Sequence, residues 1–357
     1  MKYSNKVIVW LFIGLVMVFI QVVVGGITRL TESGLSITKW EVVSGTLPPF
    51  TDLGWENEFN LYKETPQYKE INEGMSLEDF KFIYFWEYIH RFWARIMGFV
   101  FIIPFLWFFA RGYLDKAILI KLGWVVLLAL LAATFGWIMV ASGLIERPWV
   151  NAYKLSLHLC IAFAVYAMLL WTYLFAREEN IILPNIDLAG FRRLVYVFLG
   201  VLIFQIFMGG VISGMKAAVV YPTWPDMNGV YLPEIIFDIK QWNAENFNNY
   251  DKNLFMPALV HFIHRSTAYI LFVIGLFLVF RIFSIINSQV DKQLYVKFRL
   301  LGIIIFLMLS MQVILGIITV ISSKGEIPVS WGVLHQAGGL LLLTTVVYTI
   351  FVLKIKK

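Results

Sequence analysis

Cysteine is nearly missing from this chain of 357 residues: Cys160 stands alone. No disulfide can form within the chain, one thiol is no metal site, and no Cys-x-x-Cys-His stretch offers covalent attachment to a porphyrin. Cys160 lies inside an apolar run and reads as a small apolar filler. Charge is scarce as well. Only 15% of the residues are Asp, Glu, Lys or Arg, against 60% hydrophobic, a balance outside the range of soluble domains. Histidine is rarer still, with five in all.

Long apolar runs, by contrast, are abundant. A helix needs about 20 residues to cross about 30 Å of hydrocarbon. Eight runs meet that length, near 7–27, 82–110, 118–141, 152–175, 194–213, 258–283, 300–321 and 332–353. The expected fold class is an all-α polytopic membrane protein. Lys2 and Lys6, then Arg111, Lys116 and Lys121, then Arg177, Arg192 and Arg193, then Arg281, Lys292, Lys297 and Arg299, and finally Lys354, Lys356 and Lys357 fall on one side of the spans. The opposite short connections hold little beyond Arg147 and Lys324. The positive-inside rule therefore places both termini in the cytoplasm. This asymmetry and attraction to anionic head groups account for the net charge of +6, so nucleic acid is not expected as a partner. The first run is too long for a signal peptide and no small-residue cleavage site follows it, so it is read as a retained helix.

An internal duplication is visible. Two long outer loops, 28–81 and 214–257, are rich in Gly, Pro and Trp. Each follows a helix ending in Gln-x-x-x-Gly-Gly: Gln21 with Gly25 and Gly26, Gln205 with Gly209 and Gly210. After the loops, "EYIHRFWARIMG" at 87–98 aligns with "HFIHRSTAYILF" at 261–272, and "KLSLHL" at 154–159 pairs more loosely with "WGVLHQ" at 331–336. Helices one to four thus repeat as five to eight. Four crossings return the chain to its starting side, so the halves share an orientation and are related by an axis along the membrane normal. Two pseudo-symmetric four-helix bundles are expected, an N-terminal half over 1–176 and a C-terminal half over 190–357.

His90, His158, His264 and His335 each fall on an even-numbered helix, a few residues past its outer end. Paired imidazoles at one level in a dry bundle suit axial ligation of haem iron. A lone membrane histidine is more often a satisfied core residue; two symmetric pairs argue against that. Zinc wants three or four close ligands, and each half offers two histidines. A two-histidine, one-carboxylate iron site remains open for His90, His158 and Glu87.

The stretch "FWEYIHRFWARIMG" also carries Arg91 and Arg95, and ionisable groups in a membrane helix are costly unless they serve the interior. Arg91 and Arg265 directly follow the first histidine of each half. Two readings stand for them: pairing with haem propionates or extending to lipid head groups. Glu87 shares a helix face with His90, offset by about 4.5 Å along the axis, and aligns with His261 in the second half. Its plain reading is an i, i+4 pair with Arg91. Trp86, Phe92 and Trp93 either wall a pocket or join an interfacial aromatic belt.

Several longer stretches add specificity: "GGITRLTESGLS" with Trp40 and "GTLPP", "EFNLYKETPQYKE" leading to "FKFIYFWEYIHR", "YPTWPDMNG", "FIHR" at 262–265 and "LHQAGG" at 334–339. Through them nearly the whole chain resembles the haem A synthase family. The resemblance implies eight helices in two pseudo-symmetric bundles and oxidation of a ring methyl of haem O to the formyl group of haem A, for cytochrome oxidase, in the cell (inner) membrane. It assigns His264 and His335, with Arg265, to a haem b cofactor, and His90 and His158, with Arg91, to substrate haem O. Glu87 becomes the catalytic residue, removing a proton or stabilising developing positive charge at the reacting methyl. His261 either bonds a propionate or faces the loop.

Some bacterial relatives carry a cysteine pair in the first outer loop; this chain lacks it, so no redox exchange through such a pair operates here. Expected partners are haem O, membrane lipid, a haem O synthase and an electron acceptor that the sequence does not identify. A farnesylated substrate partitions into lipid, so a lateral opening between helices is expected. Two other functions use the same four histidines: a di-haem, quinol-linked electron carrier, and a haem chaperone or exporter.

Overall fold

Inside hydrocarbon a backbone must satisfy its own polar groups, and a helix does so within one segment. The computed structural model describes residues 3–38, 47–144, 147–177, 188–286 and 292–354. Trp40, Gly45 and Thr46 of the family stretches, and Lys2, Lys356 and Lys357 of the charge count, lie outside the described residues. Eight helices are long and apolar enough to cross a membrane: α1 Asn5–Leu30, α2 Leu77–Ala110, α3 Lys116–Gly143, α4 Ala152–Arg177, α5 Ala189–Gly214, α6 Phe255–Ile286, α7 Lys292–Ile321 and α8 Val329–Lys354. The chain is a polytopic all-α membrane protein. Among the described residues the one strand-like feature is a bridge between Met227 and Val230.

Several helices begin earlier than their apolar runs, because apolarity marks only the stretch in lipid. Polar first turns continue the helix outside it. Ser76 starts α2 by accepting the Asp79 N–H, and Asp115 starts α3 by accepting the Ile118 N–H, each satisfying a donor that the first turn leaves unpaired.

Helices α1, α4, α5 and α8 form the middle of the molecule. α1 and α5 each pack on both α4 and α8, and α4 packs on α8. Leu11, Phe163, Leu169, Phe198, Leu340 and Val346 are buried where these helices meet. α2 lies against α1, α3 against α4, α6 against α5 and α7 against α8.

The second glycine of each Gly-Gly pair explains part of this arrangement. A Cβ on Gly26 would stand 3.0 Å from Gln336 Nε2 on α8, and one on Gly210 would stand 2.7 Å from the Ser156 Cα on α4. Each glycine thus admits a helix of the opposite half at an equivalent point. In the same register Glu32 corresponds to Lys216 and Arg29 to Ser213. These counterparts touch: the Lys216 ammonium pairs with the Glu32 carboxylate, and Arg29 Nη2 donates to Ser213 O at 2.8 Å. Residues that meet their own equivalents lie at the axis relating the halves. Glu32 and Lys216 also both leave their helices in the left-handed region, at φ 56° and 51°.

Both outer loops carry folded structure in their described residues. In the first, helices Asp52–Lys63 and Pro66–Glu70 are capped by Thr51 and Thr65, and Phe59, Tyr62, Phe80 and Tyr84 form a buried aromatic cluster with Ile83. Burial pushes the Tyr62 phenol up to about 12, so it stays protonated, donating to Gln67 Oε1 and accepting from Asn72 Nδ2. The second loop docks on the outer end of α4. Tyr250 OH accepts the Ala152 N–H at 2.9 Å, and Tyr153 OH donates to Phe247 O at 2.8 Å.

Gly210→Ala is expected to force α4 and α5 apart at an overpacking cost of about 1–3 kcal/mol. Gly200→Ala, on the same helix with nothing within 4 Å of the added carbon, is expected to be neutral. Thermal unfolding of the two purified variants in one detergent measures the difference.

Candidate functional site

The four histidines share one seating. A Cβ built on Gly25 of α1 stands 3.1 Å from His90 Nε2, and one on Gly136 of α3 stands 3.0 Å from His158 Cε1. In the second half, a Cβ on Gly209 of α5 stands 3.3 Å from His264 Cε1, and one on Gly316 of α7 stands 3.0 Å from His335 Cε1. Each imidazole therefore lies against the backbone of the helix before it, at a point where a side chain would crowd it. Four residues before each glycine stand Gln21, Ala132, Gln205 and Gln312. Gln21 Nε2 donates to His90 O at 3.2 Å and Gln312 Nε2 to His335 O at 2.8 Å; Gln205 Nε2 lies 3.2 Å from His264 Nε2. Ala132 has no side-chain amide, and its backbone carbonyl accepts from His158 Nδ1 at 2.9 Å instead. That bond keeps the proton on Nδ1 and leaves the Nε2 lone pair for a ligand.

The sequence reading found Gln-x-x-x-Gly in α1 and α5 and missed its recurrence as "QVILG" at 312–316. The third copy lacks the second glycine that made the first two conspicuous.

His264 and His335 stand with ring centroids 6.4 Å apart and planes at 78°. Two metal–imidazole bonds of about 2 Å, with about 1 Å more from each nitrogen to its ring centre, put such centroids about 6 Å apart. Nδ1 of both rings is buried without a hydrogen-bond partner, a costly state for a polar atom unless a bound group completes the site. The residues fit an iron porphyrin held between them. Among the described residues no three His, Cys, Asp or Glu side chains gather as a metal cluster, so the two-histidine, one-carboxylate alternative is not assembled.

Glu87 is 2% exposed, one turn outward from His90 on α2. Its Oε2 accepts from Ser36 Oγ at 2.7 Å and from the Ile37 N–H at 2.8 Å, and its Oε1 accepts from Arg91 Nη2 at 2.5 Å. Arg91 also donates to Ile37 O at 3.3 Å. The i, i+4 pair is therefore real, but buried, and it clamps the start of the first outer loop to α2. Sequence spacing had no means of showing Ser36 and Ile37 as its partners, because they reach Glu87 across a loop rather than along a helix.

In the second half His261, at Glu87's position, is 2% exposed with Nδ1 unpartnered, near the Tyr221 ring. Arg265 donates to Pro225 O at 2.9 Å, Asp226 O at 2.7 Å and Tyr231 O at 3.2 Å. Both arginines thus hold the outer loop of their own half instead of extending to head groups. Of the aromatic cluster, Trp93 Nε1 donates to Met17 O on α1 at 3.0 Å and Phe92 stacks on Tyr88, so these rings fasten α2 and its own turns together.

The family model COX15-CtaA, described as a cytochrome oxidase assembly protein, matches residues 8–347. The chain is 40% identical over 357 residues to a heme A synthase of Flavobacterium psychrophilum, covering 98% of this chain and 98% of that protein. It is 39% identical over 361 residues to a heme A synthase of Flavobacterium johnsoniae, again covering 98% of each. With a heme A synthase of Nitrosospira multiformis it shares 36% identity over 346 residues, covering 97% of this chain and 92% of that protein.

Ser36→Ala removes one donor from a buried carboxylate, at a cost of about 1–3 kcal/mol. The expected outcome is amide exchange at Ile37 faster by on the order of tenfold or more, read by hydrogen–deuterium exchange, with the aromatic cluster around Tyr62 unchanged.

Proposed function

The chain belongs to the COX15-CtaA family, and from that premise we propose how its two halves divide the oxidation of haem O to haem A. A ring methyl of haem O becomes the formyl group of haem A, which serves cytochrome oxidase assembly. His264 and His335 hold the cofactor, a haem b, and their 6.4 Å ring spacing supports this. When bound, that haem supplies a centre able to accept electrons. His90 and His158 hold the substrate haem O.

One observation carries the division: a buried carboxylate, Glu87, stands one turn from His90, where the other half has His261. With water as the oxygen source, a methyl becomes an aldehyde by losing four protons and four electrons to the membrane acceptor in two two-electron steps, each adding one water's oxygen, through an alcohol and a hydrate that sheds one water. Glu87 takes the protons or steadies positive charge building at the methyl carbon. Ser36 and Arg91 orient its two oxygens. The positive charges of Arg91 and Arg265, near the outer ends of the histidine helices, complement the haem propionates. His261 lends a neutral polar ring to the cofactor side. The protein resides in the cell (inner) membrane with both termini cytoplasmic, receives haem O from a haem O synthase, and passes electrons to an acceptor in or at the membrane.

A haem inventory of membranes supplied with haem O tests the division. His264→Ala and His335→Ala are expected to lose haem b. His90→Ala and His158→Ala are expected to keep haem b and carry no haem O or haem A. Glu87→Gln is expected to retain both haems while haem A formation falls by about 10²–10⁴-fold and haem O or its alcohol accumulates. Haem A at wild-type levels from Glu87→Gln removes Glu87 from the chemistry, and haem b alone in the wild type favours an electron carrier. Gly316→Ala, which crowds His335, is expected to lower haem b occupancy several-fold with Gly190→Ala unaffected.

A further inference from the structure

The two halves are closed differently along the seam between their outer helices. In the second half α6 and α7 pack along one another. Leu309 of α7, 2% exposed, seats on Gly275 of α6, and Gly302 of α7 seats on Ile282 and Phe283 of α6. In the first half, among the described residues, α2 packs on α1 and α3 packs on α4, with no seam of comparable extent between α2 and α3.

The register of the repeat shows which residues changed. Ile-His-Arg aligns Gly275 with Phe101, and the seating glycines align Leu309 with Ala129. Phe101 is turned onto Trp10 of α1, ring centroids 5.3 Å apart, and Ala129 is exposed. Ala94, one turn inward from His90, is exposed where its counterpart Ala268 is half-buried. On α3, Ala133 and Trp137 are exposed where Val313 and Ile317 of α7 are half-buried. A Cβ on Gly98 of α2 meets nothing within 4 Å. Ala94 and Ala133 sit within about one turn of His90 and of Gly136, which seats His158, so the open seam lies at the level of that histidine pair.

We infer that the gap between α2 and α3 is a lateral portal through which a porphyrin bearing an isoprenoid tail passes between the lipid and the His90–His158 pair. This rests on the assignment of the substrate to the first half. Such a ligand partitions into hydrocarbon, and on the outer side Glu87 and Arg91 hold the start of the first outer loop, at Ser36 and Ile37, against α2. A substrate must enter and a product leave at every turnover, whereas a cofactor must stay. The open seam belongs to the half that exchanges its haem, the packed seam to the half that retains it.

The test bridges the gap. Ala94→Cys with Ala133→Cys, in a Cys160→Ala background that retains both histidine pairs, is joined by a disulfide-containing bis-maleimide and offered haem O in liposomes. Loading, followed by absorbance, is expected to be at least tenfold slower in the bridged protein, with haem b content unchanged, and to recover when the bridge is reduced. Bridging after loading is expected to trap haem O against extraction by excess empty liposomes. Ala129→Leu with Ala133→Val copies the α7 residues into α3 and is expected to slow loading without any cross-linker. Leu309→Ala is expected to make haem b exchangeable. Equal loading rates in the bridged, cleaved and Leu/Val proteins, with His90→Ala abolishing loading, overturn the portal and leave the first-half assignment standing. Normal loading in His90→Ala overturns that assignment and the portal with it.

Discussion

An imidazole in the hydrocarbon layer needs room for its ring and partners for its nitrogens, and in this chain both come from the preceding helix. Glycine provides the room at Gly25, Gly136, Gly209 and Gly316. The residue four positions earlier, on the same helix face, provides a hydrogen bond to the histidine's ring or backbone. Much else follows from repeating that contact four times. The helices pair as α1 with α2, α3 with α4, α5 with α6 and α7 with α8, and the central four, with the second outer loop docked on α4, bind the halves together. The unit of repetition is thus finer than the half: each helix hairpin carries one glycine and one histidine.

On that common frame the halves diverge at a few positions. Glu87 and His261 occupy one position, and their arginine neighbours bind different partners as a result. Arg91 shares a carboxylate and a loop carbonyl, whereas Arg265, with an imidazole in place of that carboxylate one turn away, donates to three loop carbonyls. One substitution therefore changes both the charge one turn outward from the first histidine of each half and the way the outer loop is fastened there. The seams differ through equally small means, an alanine for a leucine at 129 and a phenylalanine for a glycine at 101.

Helix number and type were legible because 20-residue apolar runs have few alternative meanings, and the duplication was legible because Ile-His-Arg and Gln-x-x-x-Gly-Gly survive in both halves. The closeness of His264 and His335 was legible because each falls on an even-numbered helix a few residues past its outer end. What stayed hidden depends on contacts between elements. The clamp of Glu87 on Ser36 and Ile37 crosses a loop, and nothing in "TESGLS" says which carboxylate it will meet. The arginines read equally well as propionate or head-group partners, since a guanidinium at a helix end carries no mark of the carbonyls that will surround it. The unequal seams were invisible for another reason: Ala129 and Leu309 are both unremarkable membrane residues until the repeat register sets them side by side.

The ion pair of Glu32 with Lys216 bears on how a duplicated chain stays paired correctly. Each residue occupies the other's place under the pseudo-twofold axis, so two copies of the first half would bring carboxylate against carboxylate, and two copies of the second would bring ammonium against ammonium. Opposite signs at equivalent positions favour the mixed pairing and penalise both symmetric ones. The ion pair thereby distinguishes the arrangement of two unlike halves from either arrangement of two like ones.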